Sequence, residues 1–339
     1  MANVKDVAKL AGVGLGTVSR VINNKGSVSD KTRAKVLKAV EDLNYIPNEV
    51  ARNFKMKETK LIGLMLPSVW HPFFSKLAYF IENELDKNGY KMLLCNSDSD
   101  KNKEIQYIEM LKKNQVAGII TISYHDYYAH GKVDLPLVTI DRYITDDIPH
   151  IASDNYQGGR LATEALIKGG ATKIGYLGGK PPHRSSVSDR MKALIEVASS
   201  YGLPYVIEET DGSNDQVAVE KFIKAHPDVD GVFTSTDLYA AALIKALRQK
   251  HKKVPEDVQV IGFDGIQDND NFTPYLSTIV QPVEAISRQS VQLLLGIVRG
   301  EEVPKETILG VTFRQGNTSN SNKEIQAIVT RKSSNKEKY

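Results

Sequence analysis

A short stretch near the N-terminus, Leu15–Asn23, carries the side chains whose chemistry is easiest to interpret. Its apolar residues recur at helical spacing, so the other side chains share the outward face of a predicted helix. That outward set is Leu15, Gly16, Thr17, Ser19, Arg20 and Asn23. An arginine can bind guanine edges or phosphates, and short hydroxyl and amide side chains can bind phosphates. The stretch therefore predicts a helix that enters a groove of double-stranded DNA.

Two more predicted helices position this one. Val4–Ala11 has apolar residues at helical spacing and ends at Gly12, and two short helices joined by a glycine-containing turn are typical of a helix-turn-helix. Ser29 can cap a third helix. The apolar stripe of that third helix comprises Val36, Leu37, Val40 and Leu43. The shared core is expected to be closed by Val7, Val18 and Val21, with small residues at Ala8 and Ala11.

Charge is distributed unevenly along the chain. The formal net charge is +3, yet residues 1–60 alone hold 12 Lys and Arg against 6 Asp and Glu. The remainder is therefore net negative. A small basic segment on a neutral-to-acidic body favours a polyanion-binding module joined to a module of another kind. The alternative is a solvated basic surface without a partner.

Composition excludes several classes of protein. The chain has 339 residues, of which 41% are hydrophobic and 25% charged, so it can bury a core and is not a disordered or collagen-like protein. Cys95 is the single cysteine, which excludes an intramolecular disulfide and favours a reducing compartment. The first residues lack the apolar region of a signal peptide, and no apolar run reaches the roughly 18 residues of a membrane span. We therefore expect a soluble, cytoplasmic protein.

From Leu61 onward the pattern changes to short apolar runs that alternate with amphipathic stretches of helix length. The predicted strands are 61–66, 91–95, 118–122, 137–140, 174–177, 231–233 and 258–262. The predicted helices are 73–87, 103–114, 158–168, 189–200, 216–225 and 238–249. This alternation predicts an α/β fold with parallel sheets. Residues 61–318 are many for one open sheet, so two doubly wound lobes with a ligand between them are expected.

The N-terminal motifs closely resemble the headpiece of the LacI/GalR family of bacterial transcription regulators. The resemblance is carried by Val4–Ala8, Ala11–Val13, Thr17–Asn23 and Leu43–Asn48. It implies a helix-turn-helix headpiece over residues 1–47 and, over 48–60, a hinge that folds into a helix on DNA. Ala51 and Phe54 of this hinge are then expected to contact DNA. Phe54 stands where the family usually has a leucine wedge for the minor groove, and a phenylalanine can also serve as an apolar wedge.

The recognition helix departs from the family pattern. Leu15 and Gly16 occupy the two positions with which family members discriminate bases. Gly16 has no side chain, and Leu15 can contact only apolar surface such as a thymine methyl group. Direct readout is therefore expected to depend on Arg20 and on the hinge.

The body resembles the effector domain of the same family, and also the periplasmic sugar-binding proteins. Among the motifs that carry this resemblance are His71–Phe74, Ile140–Arg142, Ser153–Gly159, Val260–Asp264 and Leu276–Pro282. The implied fold is the headpiece followed by a two-lobed, periplasmic-binding-protein-like α/β domain.

The resemblance also implies a set of effector-binding residues. They are His71, Phe73, Phe74, Asp141, Arg142, Arg190, Thr236, Asp237, Asp264 and Gln281. Carboxylates, guanidinium groups and flat rings suit the hydroxyls and C–H faces of a sugar. Taken without the family, Phe73 and Phe74 would be interpreted as core residues. Thr236 stands where relatives usually have asparagine.

Together these features predict an allosteric repressor of a carbohydrate-utilisation operon, similar to the sucrose and ribose operon repressors of the family. A homodimer is expected to bind a pseudopalindromic operator at the bacterial nucleoid and to leave it when a small sugar or sugar phosphate binds. Trp70, the single tryptophan, precedes the predicted pocket and is expected to report on effector binding. Residues 319–339 are expected to form a disordered tail, too short for a tetramerisation helix.

Other functions are weighed against this one. A global catabolite regulator that takes a phosphorylated carrier protein as corepressor is the alternative within the family. A sugar-binding transport protein is disfavoured by the headpiece and by the missing signal peptide. No catalytic constellation supports an enzyme. The seven histidines show no metal-binding spacing, and no cofactor motif is found, so neither a metal nor a cofactor is expected.

Overall fold

The computed structural model describes residues 2–23, 26–45, 59–123, 134–145, 147–180, 185–210, 215–267 and 275–320. The chain divides into two units, Met1–Lys60 and Leu61–Tyr339. The predicted hinge residues Ala51 and Phe54 lie outside the described residues, as do residues 321–339 of the predicted tail. The prediction of a disordered tail is wrong at its first two residues, because Ser319 is buried with its Oγ 2.8 Å from Oγ of Ser277, and the Asn320 amide donates to Oε1 of Gln259 over 3.0 Å. Among the described residues, no helix is long and apolar enough to cross a membrane.

The first unit contains α1 (Val4–Ala11), α2 (Leu15–Ile22) and α3 (Asp30–Asp42). Gly12 ends α1 in the left-handed region at φ +65°, where glycine carries no steric penalty, so the chain can turn sharply into α2. The buried core comprises Val7, Ala8, Ala11, Val18, Val21, Val36 and Ala39. The predicted stripe of α3 is wrong at Leu37, which is 51% exposed. The buried face of α3 is formed by Val36 and Ala39, with Val40 and Leu43 partly buried against it.

The first lobe of the second unit is built on a six-stranded sheet. Its strands are β1 (Leu61–Leu66), β2 (Lys91–Asn96), β3 (Gly118–Thr121), β4 (Leu137–Ile140), β5 (His150–Ser153) and β11 (Glu306–Leu309), in the order β11-β5-β4-β3-β1-β2. All five pairings are parallel. The helices of this lobe are α4 (Pro72–Lys87), α5 (Lys101–Lys113) and α10 (Val283–Val298).

The second lobe has a sheet of the same size. Its strands are β6 (Ile174–Gly179), β7 (Tyr205–Thr210), β8 (Gly231–Thr234), β9 (Gln259–Asp264), β10 (Ser277–Val280) and β12 (Thr312–Arg314), in the order β12-β10-β9-β8-β6-β7. Only β12, at the edge, pairs antiparallel among these described strands. The helices are α6 (Asn155–Lys168), α7 (Ser188–Ser200), α8 (Asp215–Ala225) and α9 (Asp237–Gln249). The predicted two-lobed α/β architecture is confirmed.

The chain passes between the lobes at three places. It leaves the first sheet after Ser153, returns through Gln281 and Pro282, and crosses again between Leu309 and Thr312. Leu309 is paired with Ser153, and Thr312 is paired with Val280, so the crossings lie side by side at the carboxyl ends of the strands. In open α/β sheets this edge is where ligands bind.

Candidate functional site

The helix α2 exposes most of the predicted DNA-binding face. Leu15, Gly16, Ser19 and Arg20 are exposed, whereas Thr17 and Asn23 are half-buried. The Nδ2 atom of Asn23 donates to the carbonyl oxygen of Ser19 over 2.8 Å and contacts its Oγ over 3.2 Å. Asn23 thus orders the end of the helix beside Arg20. The opposite face, with Val18 and Val21, is buried in the core.

The start of α2 presents backbone rather than side chains. Gly14 caps the helix without a side-chain hydrogen bond, and a Cβ atom added to Gly14 or Gly16 would meet nothing within 4 Å. The structure therefore leaves room for a side chain that this sequence does not supply. A groove of DNA could approach the first turn of α2 closely.

In the second unit, the end of β4 meets the other lobe directly. Arg142 forms an antiparallel bridge with Ser185, which precedes α7 of the second lobe. The carbonyl oxygen of Asp141 accepts from the Oγ atoms of Ser185, over 2.9 Å, and of Ser186, over 3.4 Å. Asp141 adopts φ +57°, which turns the chain toward this contact. The predicted pair Asp141 and Arg142 therefore lies at the lobe boundary.

Arg190, near the start of α7, is buried and firmly held. Its Nε atom donates to Oδ1 of Asn155 over 2.6 Å, and its Nη1 atom donates to the carbonyl oxygen of Ser235 over 2.6 Å. Its guanidinium carbon lies 3.4 Å from the ring centroid of Phe263, within the range of a cation–π interaction. Two of its three nitrogens are committed to the chain, so the guanidinium group has a fixed orientation.

Asp264 and Gln281 are joined across adjacent strands. The Nε2 atom of Gln281 donates to Oδ1 of Asp264 over 2.8 Å. The Oε1 atom of Gln281 accepts from Oγ of Ser153 over 2.7 Å. Ser153 and Gln281 stand at two of the lobe crossings, so this pair of hydrogen bonds links the end of β5 to the end of β9.

Two carboxylate oxygens at this edge have no donor. Oδ1 of Asp141 and Oδ2 of Asp264 are buried and make no hydrogen bond to the described residues. Burial raises the pKa of both carboxyl groups, that of Asp264 well above its ordinary value, while the Arg190 guanidinium opposes the shift. A buried acceptor without a donor costs free energy, so a ligand that donates hydrogen bonds here is stabilised relative to one that cannot.

Thr236 and Asp237 have structural partners. Oγ1 of Thr236 caps α9 by accepting from the Tyr239 amide over 3.4 Å. Oδ2 of Asp237 accepts from the Ile266 amide over 2.8 Å, and Oδ1 accepts from the hydroxyl of Thr278. Burial raises the pKa of Asp237 to about 6. Asp237 thus holds the turn that follows β9, whereas Thr236 fixes the start of α9, and the effector-binding role of both stays a prediction.

The predicted aromatic residues divide between core and site. Phe73 is only 4% exposed and packs in the core of the first lobe, as the alternative interpretation expected. Phe74 is half-buried, with its ring centroid 5.0 Å from that of His71. His71 caps α4, its Nδ1 accepting from the Phe73 amide over 3.3 Å. Trp70 is 93% exposed, so the expectation that it reports on a pocket is not supported by its position.

Sequence reasoning did not select Asn155, Ser153, Ser185 or Ser235 as site residues. Asn155 is the most connected of them: Nδ2 donates to Oγ of Ser186 over 3.0 Å, while Oδ1 accepts from Arg190. The available signal was its place in the family motif Ser153–Gly159. Within the described ranges, no group of three or more His, Cys, Asp or Glu side chains is arranged to hold a metal ion.

Comparison with known families matches both units of the chain. Residues 3–48 match the model for bacterial regulatory proteins of the lacI family, and residues 163–318 match the model for a periplasmic binding protein-like domain. The ribose operon repressor of Bacillus subtilis (strain 168) is 38% identical over 318 residues, covering 92% of this chain and 97% of that protein.

Two solved structures show the same fold. The lac repressor dimer bound to operator and the anti-inducer ONPF has a TM-score of 0.84 at 26% identity, covering 94% of this chain and 99% of that one. A periplasmic binding protein/LacI transcriptional regulator from Alkaliphilus metalliredigens, complexed with D-xylulofuranose, has a TM-score of 0.71 at 34% identity. It covers 78% of this chain and 100% of its own.

Proposed function

The chain belongs to the LacI family of bacterial regulatory proteins, and we propose that it represses a carbohydrate-utilisation operon until a small sugar binds between its lobes. The predicted family, DNA-binding function and subgroup are confirmed by the similarity to ribose operon repressors. Its relatives are transcriptional repressors rather than enzymes. Such a regulator acts in the cytoplasm, on operator DNA of the bacterial nucleoid.

One observation carries the effector proposal. The two donor-less oxygens belong to Asp141, after a strand of the first lobe, and to Asp264, after a strand of the second. A molecule with several hydroxyl groups can donate to both and so join the lobes. The fixed guanidinium group of Arg190 can offer its remaining nitrogen to a ring or hydroxyl oxygen. Flat rings at Phe74 and His71 suit the C–H face of a sugar.

The coupling to DNA follows from where this site lies. A ligand at the three crossings favours one orientation of the lobes, and only a ligand with different affinities for two orientations can shift their balance. In a dimer, two helix-turn-helix units bind the two half-sites of a pseudopalindrome, with Ala51 and Phe54 contributing from the hinge. Effector binding then weakens operator binding, typically by about 5- to 150-fold in allosteric proteins.

A pentose is the first candidate effector. The relative from Bacillus subtilis is named a ribose operon repressor, and the structure from Alkaliphilus metalliredigens holds D-xylulofuranose. Both names concern five-carbon sugars, which carry several hydroxyl groups that can donate hydrogen bonds to the carboxylates of both lobes. We therefore propose D-ribose or a closely related pentose as the effector of this protein.

The test begins with selection of an operator. Duplexes bound by the full chain are enriched from a random pool, and the best is labelled for fluorescence anisotropy. D-Ribose, D-xylulose, sucrose and the corresponding phosphates are then titrated into the complex. Release by a pentose supports the proposal. Release by none of these compounds, with operator binding intact, contradicts a sugar effector and leaves a protein corepressor as the function to pursue.

A further inference from the structure

A buried acid that is not among the predicted effector residues lies in the first lobe. Glu104, in the first turn of α5, has no exposed surface. Its Oε2 atom accepts from Oγ of Ser123 over 2.6 Å, and its Oε1 atom lies 3.4 Å from Oγ of Ser97. Burying a carboxylate costs free energy unless donors surround it, so its presence in a core position calls for an explanation beyond packing.

Ser123 connects this acid to the lobe boundary. It follows β3, and its carbonyl oxygen accepts from Nη1 of Arg142 over 2.6 Å. Glu104 therefore holds the side chain of the same residue whose backbone receives the Arg142 guanidinium. The backbone of Arg142 is held as well, because its carbonyl oxygen accepts from Oγ1 of Thr139 over 2.6 Å.

Arg142 carries the chain of contacts into the second lobe. It bridges to Ser185, and the neighbouring Asp141 carbonyl oxygen accepts from both Ser185 and Ser186. Ser186 in turn accepts from Asn155, which accepts from Arg190. Hydrogen bonds, together with the chain between Asp141 and Arg142, thus connect α5 of the first lobe to the start of α7 in the second.

We propose that Glu104 is a positioning residue for the interlobe site: by fixing Ser123 it sets the place of Arg142 and of the Asp141 carbonyl at the lobe boundary. The expected effect of Glu104 on effector affinity rests on the proposed function. Its expected effect on the local stability of the lobe boundary does not rest on that function, because it can be measured without a ligand.

Hydrogen exchange of the full-length protein tests the positioning role without any effector. Glu104→Ala removes the acid, Ser123→Ala removes its donor, and Glu104→Gln keeps an oxygen that can accept from Ser123. Ser287→Ala is the matched control, since Ser287 is a fully buried serine of the same lobe whose hydroxyl bonds to the Val283 carbonyl oxygen over 2.8 Å.

Exchange is compared at peptides spanning 137–145 and 185–195. We expect it to be about 2- to 30-fold faster in Glu104→Ala and Ser123→Ala than in Ser287→Ala, and to return toward wild type in Glu104→Gln. Faster exchange confined to α5 and β3, with the boundary peptides unchanged, would overturn the proposal. If Glu104→Ala does not fold, hydrogen exchange of Ser123→Ala at the same two peptides tests the proposal.

A second readout uses D-ribose as the probe. In Ser123→Ala we expect a loss of D-ribose affinity by a similar factor, with operator affinity in the absence of sugar unchanged. Unchanged D-ribose affinity would contradict a role in positioning the site. If wild type itself does not bind D-ribose, the effector proposal fails, while the exchange experiment still decides the role of Glu104.

Discussion

The Nε atom of Arg190 donates to Oδ1 of Asn155 over 2.6 Å. Asn155 is the first residue of α6 and directly follows the first lobe crossing, whereas Arg190 belongs to α7. The crossing segment therefore aims the guanidinium group toward the edge where the two buried carboxylates lie. This hydrogen bond therefore connects the first lobe crossing to the guanidinium group of the candidate site.

Arg190→Lys is expected to lower effector affinity by at least about tenfold, because a lysine cannot make the same forked contacts. Operator affinity without effector should stay near wild type. Arg160→Ala is the control, since Arg160 is an exposed arginine of α6 paired with Glu164, and such surface pairs contribute little. Effector affinity is measured by isothermal titration calorimetry, and operator affinity is measured by fluorescence anisotropy. An equal loss of effector affinity in Arg190→Lys and Arg160→Ala would contradict a role of Arg190 in effector binding.

Asp264→Asn and Asp237→Asn should have opposite effects on stability. Asp264 has a buried oxygen without a donor, so the neutral variant is expected to be more stable by on the order of 1 kcal/mol, while binding sugar less tightly. Asp237 accepts from Ile266 and Thr278, so its variant should lose about 1–3 kcal/mol. Chemical denaturation of the unliganded chain measures both. A destabilised Asp264→Asn would argue that this carboxylate is already satisfied.

The buried Asp237 predicts a dependence of stability on pH. Burial raises its pKa from 3.8 to about 6, so the folded state binds a proton more tightly than the unfolded state. Protonation of Asp237 therefore adds up to about 3 kcal/mol to the free energy of unfolding. This stabilisation is fully present below about pH 4 and is lost as the pH rises through about 6. Denaturation at pH 4.5 and 6.5 should show a smaller decline in Asp237→Asn than in wild type. An equal decline in both proteins would assign the dependence to other groups.

Uncharged sugars should bind better than their phosphates. The carboxyl groups of Asp237 and Asp141 lie near enough to that of Asp264 to raise its pKa, and two of the three nitrogens of Arg190 already donate to the chain. A phosphate group at this edge would be repelled by the carboxylates, and Arg190 could not offer it a pair of unengaged nitrogens. We expect D-ribose to bind at least about tenfold more tightly than D-ribose 5-phosphate, as measured by calorimetry in one buffer. The reverse preference would show that the phosphate has its own site.

Arg20→Ala is expected to cost about 1–3 kcal/mol on the selected operator and little on random DNA, because a base contact specifies while phosphate contacts only position. Lys35→Ala, a change to an exposed lysine of α3, serves as the control and should affect both DNAs alike. Anisotropy titrations at fixed salt compare the four affinities. Equal losses for Arg20→Ala on both DNAs would remove its role in readout.

Much of the fold could be predicted because the strands of the body are buried on both faces. Apolar runs such as Leu61–Leu66 are visible without context, and the helices between them show a clear period. The sequence did not reveal α10, whose buried face includes Ser287, Ser290 and Gly296 and so interrupts the apolar period. Five strands were not predicted. The strand β7 is half-exposed along most of its length, and β5, β10, β11 and β12 have only three or four residues each.

The candidate site could be predicted only in part. Residues that directly follow strands, such as Asp141 and Asp264, were identified through the family motif, and they do lie at the lobe boundary. The serines and Asn155 were not, because a polar group whose hydrogen-bond partners are distant in sequence has no periodic signal along the chain. The family motif also selected a residue that packs in the core: Phe73 was predicted to contact a sugar, but only 4% of its surface is exposed.

The most direct test of the account is the release of operator by a sugar that needs both lobes. Anisotropy of the selected operator is followed while D-ribose is added to wild type, Asp141→Asn and Asp264→Asn. We predict release from wild type, and release from each variant only at sugar concentrations at least about tenfold higher, with operator affinity unchanged when no sugar is present. Release of all three proteins at the same D-ribose concentration would contradict the claim that the two buried carboxylates form the effector site.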